Sequence, residues 1–180
     1  MRLKFPLLAL SIMSLSFISV AEEYETHDAH VHGVAQLQIV AENNQLEMHF
    51  ESPALNIVGF EHEIRNQEEA DKLKDAIGLL MKTDELFLLT EGDCSFIGIE
   101  VENPFEKEDD HHDEHHDTLE HREFEMEYKA TCRNLDKLTR IHLPLLDTFG
   151  RIESLDVQYI FQGKQGSVVL TQAKPFLDLQ

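Results

Sequence analysis

The stretch Ala35–Glu51, AQLQIVAENNQLEMHFE, decides the fold. Ala35, Leu37, Ile39 and Ala41 alternate with Gln36, Gln38 and Val40, and Leu46, Met48 and Phe50 alternate with Glu47, His49 and Glu51. A period of two sends one set of side chains into a core and the other into water, so each run reads as a half-buried strand. Asn43-Asn44 lies between them, and Asn tolerates the positive φ that a tight hairpin turn requires. Working outward, the same alternation is clearest in His121–Cys132. There Phe124, Met126, Tyr128, Ala130 and Cys132 share one face, and His121, Glu123, Glu125, Glu127 and Lys129 share the other. Leu86–Leu89, Phe96–Val101, Leu138–Leu143 and Leu155–Phe161 read as further strands, and Gly163–Gly166 as the turn into a last one, Ser167–Thr171. From Gln67 to Lys82 the period changes: Ala70, Leu73, Ile77 and Leu80 recur at helical spacing with charges opposite, which predicts an amphipathic helix. Ser52-Pro53 ends the second strand, and an irregular stretch runs on through Gly59 and His62. The expected fold is α+β, mostly antiparallel, with about seven or eight strands and one main helix, because hairpin-length connections dominate.

The beginning of the chain reads as an export signal. Arg2 and Lys4 precede the apolar run Phe5–Ile18, and Ser19-Val20-Ala21 supplies the small residues of a cleavage site. The run is shorter than the roughly 20 residues a membrane-spanning helix needs. The expected division is a signal at 1–21 and a single domain at 22–180, with no membrane insertion once the signal is removed. Its loss takes away two cations and no acid, so the formal charge of −20 becomes −22. So acidic a domain repels nucleic acid and anionic lipid and concentrates cations. The two cysteines, Cys94 and Cys132, would meet an oxidising compartment after export, where a disulfide between them is the expectation.

Glu106–Glu120, EKEDDHHDEHHDTLE, does not belong to the core pattern. So charged a run cannot repay its ordering by burial, so it reads as a disordered, His/Asp/Glu-rich insertion joining two strands. Four of the eleven histidines, His111, His112, His115 and His116, fall within it. Neutral imidazole and carboxylate are both zinc ligands, and the pairs His111/His115 and His112/His116 have the spacing that puts them on one face of a helical turn. With Asp113 and Asp117, and with His27 at the mature N-terminus, they are expected to form loose sites, because every ligand ordered there costs entropy.

A tight site needs ligands carried by the framework. His30 and His32 share parity on the N-terminal strand, His121 opens the long strand on its glutamate-lined face, and His62 lies in Gly59-Phe60-Glu61-His62-Glu63 just before the helix. These four are the framework candidates, with Glu61 and Glu123 as oxygen ligands; His49 and His142 read as strand-surface residues.

The runs His30-Val31-His32-Gly33-Val34-Ala35, Ser52-Pro53-Ala54-Leu55-Asn56-Ile57-Val58-Gly59-Phe60-Glu61-His62, His121-Arg122-Glu123-Phe124 and Leu155-Asp156-Val157-Gln158 resemble the ZrgA-type zinc-uptake proteins of Gram-negative bacteria. The resemblance spans essentially the whole mature chain. It implies a periplasmic, zinc-binding component of an ABC import system, with Zn²⁺ as cargo and an inner-membrane permease as partner. The four histidines fall inside the matching motifs.

Other chemistries fit less well. A zinc hydrolase needs three ligands, an open position and a base, and no HExxH, HxHxD or nucleophile-elbow pattern is present, so the chain is expected not to be an enzyme. A copper(I) carrier would display clustered Met, whereas Met48 and Met126 lie on the apolar faces of strands. Imidazole and carboxylate alone do not separate zinc from nickel or copper(II). A metal buffer or store without a transport role is the alternative within the same class.

Overall fold

The computed structural model describes residues 31–106 and 122–179. The expected signal, His27, His30, His121 and all the insertion ligands (His111, His112, Asp113, His115, His116 and Asp117) lie outside the described residues.

In chain order the elements are β1 (Val34–Glu42), β2 (Gln45–Pro53), α1 (Ala54–Ile57), α2 (Gln67–Leu80), α3 (Thr83–Leu86), β3 (Leu88–Thr90), β4 (Cys94–Glu102), β5 (Glu123–Cys132), β6 (Arg140–His142), α4 (Leu145–Thr148), β7 (Ser154–Phe161), β8 (Lys164–Leu170) and β9 (Phe176–Asp178). A 3₁₀ turn at Leu135–Lys137 precedes β6. The class is α+β as the alternation predicts, and the described residues hold nine strands in two sheets, against the seven or eight expected.

The larger sheet has the order β4-β5-β2-β1-β7-β8. Every pair in it is antiparallel except β1–β7, which run parallel from Val34↔Ser154 to Ala41↔Phe161. The Asn43-Asn44 hairpin forms as expected, both residues with positive φ (51° and 65°). Pairings such as Phe50↔Met126 and Leu37↔Val157 continue the apolar set across the strands on one face, as the period of two demands. In β4 a bulge between Phe96 and Gly98 inserts one residue, leaving Ile97 exposed while Phe96, Ile99 and Val101 stay packed against the core. The disulfide Cys94–Cys132 joins directly opposed residues and ties this edge strand to β5.

The inner face of the sheet is covered by α2, the short helices and the small sheet β3-β6-β9. Leu73, Ala76 and Leu80 of α2 are buried, and Tyr128 of β5 donates from its hydroxyl to the Leu80 carbonyl at 3.1 Å. That bond satisfies an orphan acceptor at the helix end inside the core, and burial pushes the Tyr128 hydroxyl up from its usual range. At the other end, the side chain of Asn66 caps the helix by accepting from Glu69 N at 3.0 Å.

Four sequence expectations need adjusting. The irregular stretch after Ser52-Pro53 contains the helical turn α1, too short to show a repeat. Leu86 belongs to α3, and the strand begins at Leu88. The β7–β8 turn is Gln162-Gly163, whose positive φ values of 50° and 77° close it early, so β8 starts at Lys164. His32 is not on a strand: Gly33, at φ 84°, breaks the extended backbone, and β1 begins at Val34.

Candidate metal-binding corner

One end of β1 meets the chain leaving β2, and buried Asn56 locks the two together. Its Oδ1 accepts from Gly33 N at 2.8 Å, and its Nδ2 donates to Val34 O at 2.9 Å and Ser52 Oγ at 3.3 Å. Asn56 can reach them because α1 turns the chain back over the sheet end within one helical turn. Two left-handed glycines then shape the loops. A Cβ on Gly33 would come within 3.2 Å of Glu153, and one on Gly59 (φ 89°) within 3.2 Å of Arg151. The segment before β7 therefore docks closely on both loops, with Glu153 N and Ser154 N donating to Gly33 O at 2.8 and 3.0 Å.

This arrangement delivers His32 and Glu61, 29 residues apart, to one place: Glu61 Oε2 accepts from His32 Nε2 at 3.2 Å. Two ligands of one tetrahedral zinc, each about 2.1 Å from the ion, stand roughly 3.4 Å apart, so an ion that replaced the Nε2 proton would meet both atoms near their present separation. The other carboxylate oxygen, Glu61 Oε1, is buried with no hydrogen-bond partner among the described residues. A buried carboxylate oxygen is costly unless a hydrogen-bond donor or a cation meets it. The donor set of imidazole and carboxylate fits zinc.

His62 follows directly. Its Nδ1 donates to the Glu63 carbonyl at 2.9 Å, which fixes the proton there and leaves the Nε2 lone pair available to a metal. Nε2 stands 3.9 Å from Glu69 Oε1, and Glu69 Oε2 accepts from Arg65 N at 2.8 Å. Glu69 was absent from the sequence candidates. Its position three residues after Asn66 reads as helix capping, and only the fold shows that it also faces His62. Among the described residues no three His, Cys, Asp or Glu side chains gather closely enough to hold an ion alone. The corner offers two imidazole–carboxylate pairs, His32–Glu61 and His62–Glu69.

Glu123 keeps other company. It opens β5 opposite Pro53, and burial, then repulsion from Glu51 and Glu125, pushes its carboxyl up to about 7, with His49 pulling the other way. On this outward face His49 donates to Glu51 at 2.6 Å, and His49, Glu100, Glu102, Glu125 and Glu127 line a hollow of about 60 Å³. A larger hollow of about 540 Å³, over β1, β7 and β8, is lined by residues such as Gln38, Val40, Gln158 and Ile160 and offers neither imidazole nor carboxylate.

Fold and corner together define a small β-rich domain that gathers paired imidazole and carboxylate groups at one end of its larger sheet. The family model described as ZrgA family zinc uptake protein matches residues 29–179, and the chain belongs to that family. A search of curated proteins found no match. No helix among the described residues is long and apolar enough to cross a membrane.

Proposed function

We propose that this protein is a non-catalytic, periplasmic zinc binder that captures the ion at the corner carrying the His32–Glu61 and His62–Glu69 pairs and supports its uptake through an inner-membrane ABC transporter. The observation that carries the reading is the His32–Glu61 pair, 3.2 Å apart and with Glu61 Oε1 buried and without a partner among the described residues. Membership of a zinc uptake family supports zinc as the cargo. The disulfide and the export-type N-terminal sequence support an oxidising compartment outside the cytoplasm. In this reading His30 and His121 complete the coordination, and the His/Asp/Glu-rich insertion gathers ions loosely nearby. Because each imidazole must be neutral to bind, affinity falls as pH drops below about 6.5.

The test is calorimetric titration of zinc into the mature protein with and without residues 107–120. Arg122 Nη1 donates to Pro104 O at 2.6 Å, so a short linker closes the deletion without moving the strands. The expected result is loss of the weak, multiple sites and survival of one tight site. Loss of all binding would remove the framework site. Nickel titrated in parallel reads selectivity, which the ligand types alone leave open.

A further inference from the structure

Phe105 and Arg122, which flank the insertion, are joined to each other and to the corner by a chain of side-chain contacts. Beyond β4, Phe105 packs its ring 5.4 Å from Phe60 and 6.2 Å from Phe124, centroid to centroid. On the returning side, the Arg122 guanidinium lies 5.1 Å from the Phe105 centroid while Nη1 holds the Pro104 carbonyl. The Arg122 carbonyl accepts from Ala54 N at 2.7 Å, the first residue of α1. Phe60, only 8% exposed, stacks on the His62 imidazole at 5.2 Å with 19° between the planes. His62 is therefore held by one edge, at Glu63 O, and by one face, on Phe60. Removing the ring behind Phe60 gives that support room to move. A displaced imidazole would lose the Glu63 bond that selects its tautomer.

We infer that Phe105, acting through Phe60, is a positioning residue for His62, so that zinc affinity depends on an aromatic ring that touches no metal. The inference rests on the reading of His62 as a ligand, and it ties the roots of the insertion to the coordination geometry. A metal site 1 Å too loose loses affinity even with every ligand present.

The experiment uses the full mature chain, with zinc affinity measured by chelator competition and the His62 ring nitrogens followed by long-range ¹H–¹⁵N correlation. Phe105→Leu should weaken zinc by about 10-fold, whereas Phe105→Tyr, which keeps the ring, should stay within about twofold of wild type. The apo spectrum should change from a single Nδ1-protonated tautomer to a mixture in Phe105→Leu alone. In a His62→Ala background, Phe105→Leu should have no further effect on zinc. An equal loss in that background, or an unchanged His62 spectrum, overturns the inference. If His62→Ala leaves zinc binding intact, the ligand reading has failed instead, and the tautomer spectrum still decides whether Phe105 positions His62.

Discussion

Two regions of this protein pair an imidazole with a carboxylate, and they differ in everything but residue type. In the corner, His32 and Glu61 meet across 29 residues, on loops shaped by left-handed glycines and locked by Asn56. On the outward face, His49 and Glu51 are two residues apart on one regular strand, 2.6 Å from each other. Their neighbours across the sheet are acids, Glu127 and Glu125, and beyond those Glu100 and Glu102. Like charges directly opposed are unfavourable, and the face relieves them internally: Lys129 bonds Glu127 at 3.0 Å and Glu100 at 3.4 Å, while Glu123 holds its proton to about 7. Among the described residues the corner has no such relief for Glu61 Oε1. Convergence from distant segments and a buried carboxylate oxygen without a partner among the described residues set the corner apart from a crowded solvated face; composition does not.

The widest expected separation between the two regions is in zinc affinity. His32→Ala with Glu61→Gln should weaken binding by about 100-fold, and His49→Ala with Glu51→Gln by less than about threefold, in chelator competition. Equal losses would erase the distinction. Next, Asn56→Ala should cost about 2–4 kcal/mol in urea unfolding, because Gly33 N and Val34 O lose their partner inside the protein. It should also weaken zinc, which no mutation of similar cost on the inner side of β5 should do. The smallest effect sharpens the account of the face. Glu123, with its carboxyl raised from 4.5 to about 7, binds more protons folded than unfolded, so its contribution to stability falls as pH rises through that window. Glu123→Gln should therefore raise the melting temperature by about 3 °C at pH 8 and by nothing measurable near pH 4.5. A gain that persists at low pH would mean that the carboxylate's charge is not the cause.

Much of this was legible in the residues. The alternation in β1, β2 and β5 names their buried sides, since a pleated strand leaves no other assignment once one face is apolar. The helical period of α2 likewise finds Leu73 and Leu80, both buried. Periodicity does not name a strand's partner, so nothing in Leu155–Phe161 announces that it lies parallel to β1. Nor could it find α1, whose four residues hold no repeat. His32 and Glu61 were reachable as candidates, though for His32 the strand-parity reason fails because Gly33 turns the chain there. Glu69 stayed hidden because the bond its carboxylate accepts from Arg65 N at the helix start accounts for its type, and its approach to His62 exists only in three dimensions.

The parallel pair also sets an order of events. β1 lies inside the larger sheet, yet Val34 must wait for Ser154, 120 positions later, before its second side is bonded. The hairpin with β2 can form early, but until the last strands arrive β1 presents an open row of amide and carbonyl groups beside apolar side chains. Such an edge is a template for pairing with a neighbouring chain, and closing so long a loop slows folding. A chain cut short before β7 would keep every metal-corner residue from His32 to Glu69 and still be at risk of joining its neighbours instead of folding.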